Sequence, residues 1–412
     1  MIDKKSSLWS SPINWNISKL WEIWYFIRWV SYKKWDLLPK RENGCISLLR
    51  SNNIQTELDL SELQYLNKSS VNDGQITQKW DILFCMSNWS PHLVWKNILL
   101  PELENYSFGA FCSIFRKTSE SALSEYIAKY LQSWNYTSFI TSLSRWAGIN
   151  NLRGSDLENI EIPLPPLETQ KAIVAKLDQI FAELDQTKSE IQKNLDNTDE
   201  LWKSALNQAF QGDWKMKKLG EVCKFVRWPF WWSLKKEIFV KEWFAVYEQQ
   251  HAIYNQFSDF RYFIDDKKFE EMKRFEVLPW DLIMSCSWTM GKVSIVPENS
   301  PKWIINQALL KITPSTKINA KFLKMWMDSK DFQDQIWINT QWAAIQNVAS
   351  VKVISELNMP VPPLSEQEKI VEHLDQVSKE VKGLKSQYQS QLDNLEELKK
   401  SVLDKAFKWE LE

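Results

Sequence analysis

Two stretches of the chain place apolar residues at spacings that alternate mostly between three and four. In the first they fall at Ile173, Leu177, Ile180, Leu184, Ile191, Leu195 and Leu201. In the second they fall at Ile370, Leu374, Val377, Val381, Leu384, Leu392, Leu395, Leu398 and Val402. A stripe with this period predicts a long helix with one buried seam. Pro165-Pro166 and Pro362-Pro363 lie just upstream. A helix cannot run through them, because proline lacks the N–H and its ring clashes with the preceding turn. Each helix, of about 43 residues, would be roughly 65 Å long at about 1.5 Å per residue. One helix cannot bury such a stripe alone, and the chain supplies two. The expected result is an antiparallel intramolecular coiled coil. Its spine would be Ile173, Leu177, Ile180, Leu184, Ile191 and Leu195 against Ile370, Leu374, Val377, Val381, Leu384, Leu392 and Leu395. The competing expectation is that each stripe packs on the domain before it.

The segments between the helices carry a different pattern. Short apolar runs bounded by turn residues read as strands: Asp81–Cys85, Asp281–Met284, Lys292–Val296 and Ala308–Ile312. Ser121–Gln132 and Ala320–Trp337 read as short helices. The predicted fold class is α+β, with globular domains at 1–167 and 212–365 and spacer helices at 168–211 and 366–412. In an antiparallel pairing the two globules would sit at opposite ends of a rod.

The halves resemble each other. Ile162-Pro163-Leu164-Pro165-Pro166-Leu167-Glu168-Thr169-Gln170 matches Met359-Pro360-Val361-Pro362-Pro363-Leu364-Ser365-Glu366-Gln367. The match continues through Ile173-Val174 with Ile370-Val371 and Leu177-Asp178 with Leu374-Asp375, and returns at Ala209-Phe210 with Ala406-Phe407. Upstream, Trp80-Asp81 parallels Trp280-Asp281, and Leu20-Trp21-Glu22-Ile23 parallels Leu219-Gly220-Glu221-Val222. A repeat this long means two copies of one domain plan.

Composition adds an anomaly. There are 24 Trp and only 9 Gly, where average usage of about 7% would give roughly 29 glycines. Lys34-Trp35-Asp36, Lys79-Trp80-Asp81 and Pro279-Trp280-Asp281 are turn sequences in which Gly-Asp belongs. Within the repeat Trp21 faces Gly220, Trp95 faces Gly291 and Trp409 faces Gly212. Glycine reaches positive φ freely and a bulky residue does not. The hypothesis is that many of these tryptophans are UGA codons read as glycine in the source. The competing reading is a Trp-rich surface for base stacking.

Charge and motifs narrow the function. The formal net charge is −1, but 1–167 and 212–365 carry +1 and +4 while 168–211 carries −3 and 366–408 carries −1. This distribution permits phosphate contacts on the globular parts. No run of eighteen apolar residues suggests a membrane span, and the start lacks the apolar core of a signal peptide. Cys45, Cys85, Cys112, Cys223 and Cys286 are scattered and never spaced as CxxC, which points to idle thiols in a reducing cytoplasm. His92, His251 and His373 are isolated, so neither a His-based metal site nor a Ser-His-Asp triad is expected. Reading Trp as Gly creates no phosphate loop: Trp89–Asn97 has the wrong spacing and no Ser or Thr for Mg²⁺. No catalysis is expected of this chain.

A tandem of α+β globule and long heptad helix, with Pro-Leu-Pro-Pro-Leu-x-x-Gln or Pro-Val-Pro-Pro-Leu-x-x-Gln at each junction, resembles the specificity subunits of type I restriction–modification systems. The resemblance spans the chain and is most specific at Ile162–Leu177 and Met359–Leu374. It implies two target-recognition domains, each reading half of a split double-stranded DNA site. It also implies that the helices space these domains and dock two methyltransferase subunits. Restriction and translocase subunits join that core, so S-adenosylmethionine, ATP and Mg would belong to the partners and no cofactor or metal to this chain. The implied setting is phage defence.

Because the heads differ in sequence, the two half-sites should differ, and the helices should act as a ruler between them. Candidate base readers are Arg, Lys, Gln, Asn and Tyr in turns between strands. In the first half these are Arg28, Arg50, Asn88, Lys96 and Arg145. In the second half they are Arg227, Lys235, Lys236, Tyr247, Gln249, Lys292 and Gln346. The main alternatives are a single-chain enzyme using the same module and a coiled-coil scaffold whose globules bind proteins.

Overall fold

The computed structural model describes residues 15–55, 57–87, 96–134, 136–140, 160–228, 236–286, 289–300, 303–340 and 351–408. The chain divides into two compact units. Unit 1 comprises Met1–Ile191 with Ser390–Glu412, and unit 2 comprises Gln192–Gln389. Two long helices, Leu167–Ala209 and Leu364–Phe407, each contribute one part to each unit.

Unit 1 contains ten strands among its described residues: β1 Asn16–Lys19, β2 Trp24–Arg28, β3 Leu37–Leu38, β4 Ile46–Leu49, β5 Gln64–Leu66, β6 Ile82–Cys85, β7 Asn97–Leu99, β8 Tyr106–Phe108, β9 Cys112–Lys117 and β10 Glu161–Leu164. β2, β9, β6 and β7 form an antiparallel sheet, and β3, β5, β4 and β8 form a second in which β4 and β8 run parallel. β1 pairs with β10 and carries the chain into the first long helix.

Unit 2 repeats the plan: β11 Met216–Lys218, β12 Cys223–Arg227, β13 Phe244–Tyr247, β14 Phe263–Ile264, β15 Glu276–Val277, β16 Leu282–Ser285, β17 Val293–Ile295, β18 Trp303–Ile305, β19 Leu309–Pro314 and β20 Asn358–Pro360. The order β12-β19-β16-β17 matches the first sheet of unit 1 strand for strand. The second sheets share an antiparallel neighbour and a parallel pair, β4 with β8 and β13 with β18. They diverge at the edge: β3 flanks β5 in unit 1, whereas β15 flanks β18 in unit 2.

The junction motif has a structural cause in its glutamine. Gln170 and Gln367 are wholly buried. Gln170 Oε1 accepts the Leu123 N–H at 2.8 Å, and its Nε2 donates to the Ser121 and Pro165 carbonyls at 2.8 and 2.7 Å. Gln367 does the same with the Asn319 N–H at 2.8 Å and the Lys317 and Pro362 carbonyls at 3.0 and 2.9 Å. In each unit one amide thus ties the first turn of a long helix to the loop ahead of a short helix, Ser124–Tyr130 or Ala320–Asp328. The helix expected over Ala320–Trp337 is instead two, Ala320–Asp328 and Lys330–Thr340. Ser329 adopts an extended conformation between them, and its hydroxyl donates to the Trp326 carbonyl at 2.7 Å.

The long helices pair antiparallel. In unit 1 Lys188 meets Glu396 at 2.5 Å and Asp185 meets Lys399 at 3.0 Å, so a step back on one helix is a step forward on the other. In unit 2 Lys385 pairs with Asp199. Of the expected spine, Ile173, Leu177, Ile370, Leu374, Val381 and Leu392 are buried, while Ile180, Leu184, Ile191, Leu195, Val377, Leu384 and Leu395 are half-buried. Leu201 and Leu398, parts of the same stripe, are exposed. A two-helix seam covers only one narrow face, so residues drifting off it meet water.

The helix ends do what the stripe did not reveal. Leu403, Ala406 and Phe407 enter the core of unit 1 beside Ile173, Val174 and Leu177. Phe407 packs edge-on against Tyr126 and Tyr130 at 5.3 and 5.1 Å. In unit 2 Leu206 and Phe210 join Ile370, Val371 and Leu374. Each core therefore contains the start of one long helix and the end of the other. Exposed ion pairs of this kind contribute little, so Lys188→Glu is expected to cost at most about 1 kcal/mol. Leu392→Ala should cost roughly 2–5 kcal/mol, and denaturant midpoints for the two variants check the ordering.

Trp80 and Trp280 occupy matching turns. The Asp81 N–H donates to the Gln78 carbonyl at 3.2 Å and the Asp281 N–H to the Leu278 carbonyl at 3.0 Å, with φ of 73° at Trp80 and 71° at Trp280. This is the third position of a turn that calls for glycine, and Pro279 suits the position before it. Trp243 has φ 118°. Six described non-glycine residues have positive φ, and three of them are Trp. Left-handed backbone costs a bulky residue about 1–2 kcal/mol. Trp280→Gly is therefore expected to raise the melting temperature, by roughly 2–4 °C per kcal/mol for a unit of this size. The intact mass of protein isolated from its source reports whether glycine already stands there; a mass carrying all 24 indoles ends the recoding hypothesis.

Candidate nucleic-acid interface

The first sheet of each unit has on one face a core shared with the long helices and on the other a core that contains no residue of those helices. β2 begins at Trp24, in the helix-bearing core, and its Ile27 packs on a second cluster of Leu49, Leu83, Cys85 and Phe108. β12 begins at Cys223 in the helix-bearing core of unit 2, and Val226 packs on a cluster of Tyr247, Ile264, Phe275 and Ile304. The second sheets are thus carried away from the helices.

The sequence candidates distribute unevenly on this frame. Arg28 closes β2 and Arg50 follows β4, and both are exposed. Arg227 closes β12 and is half-buried, as is Gln249 after β13. Lys96 lines a cleft with Phe181 and Lys399 of the helix pair, so it faces the spacer rather than the distal end. Lys292 is exposed but stands near Asp328 in a short helix of the helix-bearing core. Burial holds the Asp328 carboxyl above the usual carboxylate range, while Lys324 and Lys292 pull it back. Tyr247 corrects the expectation outright: it is wholly buried, packed among His251, Phe257, Phe260 and Trp303, and cannot reach a base. Its position at the end of a strand resembled a turn position in the sequence, but it points into the core. Asn88, Arg145, Lys235 and Gln346 lie outside the described residues, and Lys236 opens a short turn, Lys236–Ile238.

The same loop in both units is held by an unlike residue in a like role. In unit 1 the N–H of Arg50, the first residue after β4, donates to Asn53 Oδ1 at 2.8 Å. Asn53 Nδ2 in turn donates to the Asp59 and Glu62 carbonyls at 2.6 and 3.2 Å. In unit 2 the N–H of Glu248, the first residue after β13, donates to His251 Nδ1 at 2.8 Å. Because Nδ1 accepts there, Nε2 carries the proton and donates to the Asp259 carbonyl at 2.9 Å. Asn53 and His251 are 0% and 1% exposed, so each spans its loop from beneath. His251 also stacks on Phe260, with centroids 4.7 Å apart. Glu248, nearly buried, receives both Arg261 Nε at 3.0 Å and Nη2 at 2.7 Å. A buried amide and a buried imidazole share no sequence signature, which is why the clamp escaped the sequence reading.

The five cysteines are buried and free, and burial pushes the Cys286 and Cys223 thiols up to about 11 and about 12, so both stay protonated near neutrality. No cluster of three or more His, Cys, Asp or Glu among the described residues is placed to hold a metal. No helix among them is long and apolar enough to cross a membrane.

Two copies of one α+β plan, a pair of long antiparallel helices and clamped loops on the distal sheets define a tandem recognition module. The family model for the type I restriction modification DNA specificity domain matches residues 12–197 and again 211–394, and the chain belongs to that family. The chain is similar to the type I restriction enzyme EcoKI specificity subunit of Escherichia coli K12, at 34% identity over 183 residues, which is 44% of this chain and 39% of that protein. It is 25% identical to the StySPI specificity subunit of Salmonella potsdam over 97% of this chain and 90% of that one. Among solved structures, the HsdS subunit of Thermoanaerobacter tengcongensis shares the fold, with a TM-score of 0.60 at 19% identity, covering 98% of this chain and 99% of that chain. A chain from a type I restriction–modification assembly shares it with a TM-score of 0.71, also at 19% identity, covering 98% and 100%.

Proposed function

We propose that this chain is the DNA sequence-recognition subunit of a type I restriction–modification complex, each unit reading one half of a bipartite, asymmetric site. The carrying observation is the paired specificity-domain match on a physically duplicated fold. Phosphate contacts set register on the duplex and side chains at base edges supply discrimination. Two units of the same plan with divergent second sheets therefore favour two unlike half-sites. The chain itself performs no chemistry in this reading. Two methyltransferase subunits dock on the exposed outer faces of the long helices and bring S-adenosylmethionine, and restriction and translocase subunits bring ATP and Mg-dependent work. The complex acts in the cytoplasm.

Methylome sequencing of the source cells tests the proposal directly: a two-part methylated motif with an unread gap is expected, and its absence despite an expressed, intact gene set sinks the reading. Binding by the assembled complex separates it from a protein-binding scaffold. Specific sites should hold at least about 10³-fold tighter than random duplex at a fixed salt concentration. Affinity that falls steeply with salt and ignores sequence supports the scaffold alternative.

A further inference from the structure

The loop after β13 has a base built for rigidity and a surface left unused by the fold. Its underside is aromatic: Phe257 and Phe260 lie against Tyr247, and Phe260 meets Trp303 at 3.9 Å. The His251 clamp and the Glu248–Arg261 fork close it from two sides. A short helix, Gln249–Tyr254, ends at Asn255, whose φ of 51° turns the chain outward. Tyr254 is 73% exposed, and Asn255, Gln256 and Arg261 are exposed beside it. Among the described residues no side-chain hydrogen bond engages Tyr254, Asn255 or Gln256. Neutral amides and an aromatic ring on a fixed frame make poor glue for packing and a good reader of base edges. Asn and Gln match the adjacent donor and acceptor of adenine, and an exposed ring stacks on any base.

We propose that the clamped loops, 248–262 in unit 2 and its counterpart 50–55 with 57–63 in unit 1, are the elements that read base sequence, with Asn255, Gln256 and Tyr254 as specificity determinants of one half-site. The proposal rests on the DNA-recognition reading above. Rigidity is what the clamp adds: a base contact discriminates only if the side chain is held where the wrong base leaves it unpaired, and a mobile loop re-pairs with water or a neighbouring base. Asn53 and His251 are positioning residues in this scheme, because each is buried and hydrogen-bonds only to backbone. The counterpart loop presents Arg50 at its surface, while Gln55 donates to the Asn52 carbonyl at 2.8 Å and lines the cleft that holds Lys96. The two loops thus offer different chemistry from the same position in the plan, as two unlike half-sites require.

The test uses the full chain in complex with its methyltransferase subunits and a pool of random-sequence duplexes, with bound DNA sequenced. Wild type is compared with Gln256→Ala and Asn255→Gly, the second keeping the left-handed backbone, and with Tyr254→Ala. All three residues are exposed, and equal melting temperatures confirm the fold. The expected result is a relaxed preference at one or two adjacent positions of one half-site, with about a 10- to 100-fold loss of discrimination there and an unchanged second half and gap. An unchanged motif at unchanged affinity for all three variants overturns the loop assignment. So does weaker binding to every sequence alike, which marks phosphate contact only. If wild type itself selects no bipartite motif, the recognition reading fails, a result distinct from failure of the loop. His251→Ala supplies the positioning readout: discrimination at that half-site falls while the salt slope of binding stays as in wild type.

Discussion

Gln170→Leu is expected to destabilise unit 1 by about 3 kcal/mol, an effect far beyond that of an ordinary surface change. The side chain satisfies the Leu123 N–H and the Ser121 and Pro165 carbonyls at 2.7–2.8 Å. Leucine fills much the same volume, so the loss is in hydrogen bonding rather than in packing. Three backbone groups lose their partner, and those shut away from water each bear a desolvation cost of about 1–3 kcal/mol. At roughly 2–4 °C per kcal/mol for a unit of this size, the melting temperature of unit 1 should fall by about 6–12 °C. Hydrogen exchange should quicken first around Leu123–Leu131, where the clamp holds the short helix. Gln367→Leu should do the same around Asn319 in unit 2. A melting temperature within 2 °C of wild type for both variants would show that the junction glutamine is dispensable to the fold.

Arg116→Met should cost still more, about 3–5 kcal/mol, because it strands a buried carboxylate. Arg116 and Asp81 are 8% and 1% exposed, and Nε and Nη2 reach the two carboxylate oxygens at 2.8 and 2.7 Å. Nη2 also donates to the Ile76 carbonyl at 2.7 Å, tying strand β9 to the segment whose Gln75 amide bonds the Arg28 and Trp29 carbonyls. The pair therefore ties the first sheet of unit 1 to the segment that holds the end of β2. Unit 2 solves the same problem differently. Asp281 holds its turn through the Leu278 N–H at 2.8 Å, as Asp81 holds the Gln78 N–H at 2.7 Å, but its partner on the neighbouring strand is the Thr313 hydroxyl at 2.5 Å. Arg116→Thr should consequently cost less than Arg116→Met, since a hydroxyl donor remains on the strand. Guanidinium denaturation of the two variants decides it; equal losses would mean that the donor is immaterial and that only the guanidinium's packing counts.

Much of this architecture was legible from local rules. The strands expected at Asp81–Cys85, Asp281–Met284, Lys292–Val296 and Ala308–Ile312 correspond to β6, β16, β17 and β19. Alternation and turn punctuation are local signals, and these strands obey them. The Trp-Asp turns were anomalous in sequence and remain so in structure, with φ near 72° at both Trp80 and Trp280. The candidate readers fared differently. Choosing by residue type favoured Tyr247, which lies in a core, and Lys96, which faces the helix pair. It passed over Asn255 and Gln256, whose exposure depends on where a loop turns. A side chain's chemistry is written in its letter, but its direction is set by the strands beneath it.

The sequence alone determined the duplicated plan, the two long helices and their antiparallel partnership. A periodic apolar stripe must be buried, and the only comparable stripe available within the chain is the other one. Tertiary structure decided what those helices touch at their ends, where Phe407 and Phe210 enter cores made mostly of residues some 200 or more positions away in one case and about 100 in the other. It also decided which buried polar groups hold the loops, and so which side chains are left facing outward. Those outcomes depend on satisfying backbone donors and acceptors that come together only after the sheets have formed. An asparagine and a histidine meet the same need equally well, so no single residue type could announce it.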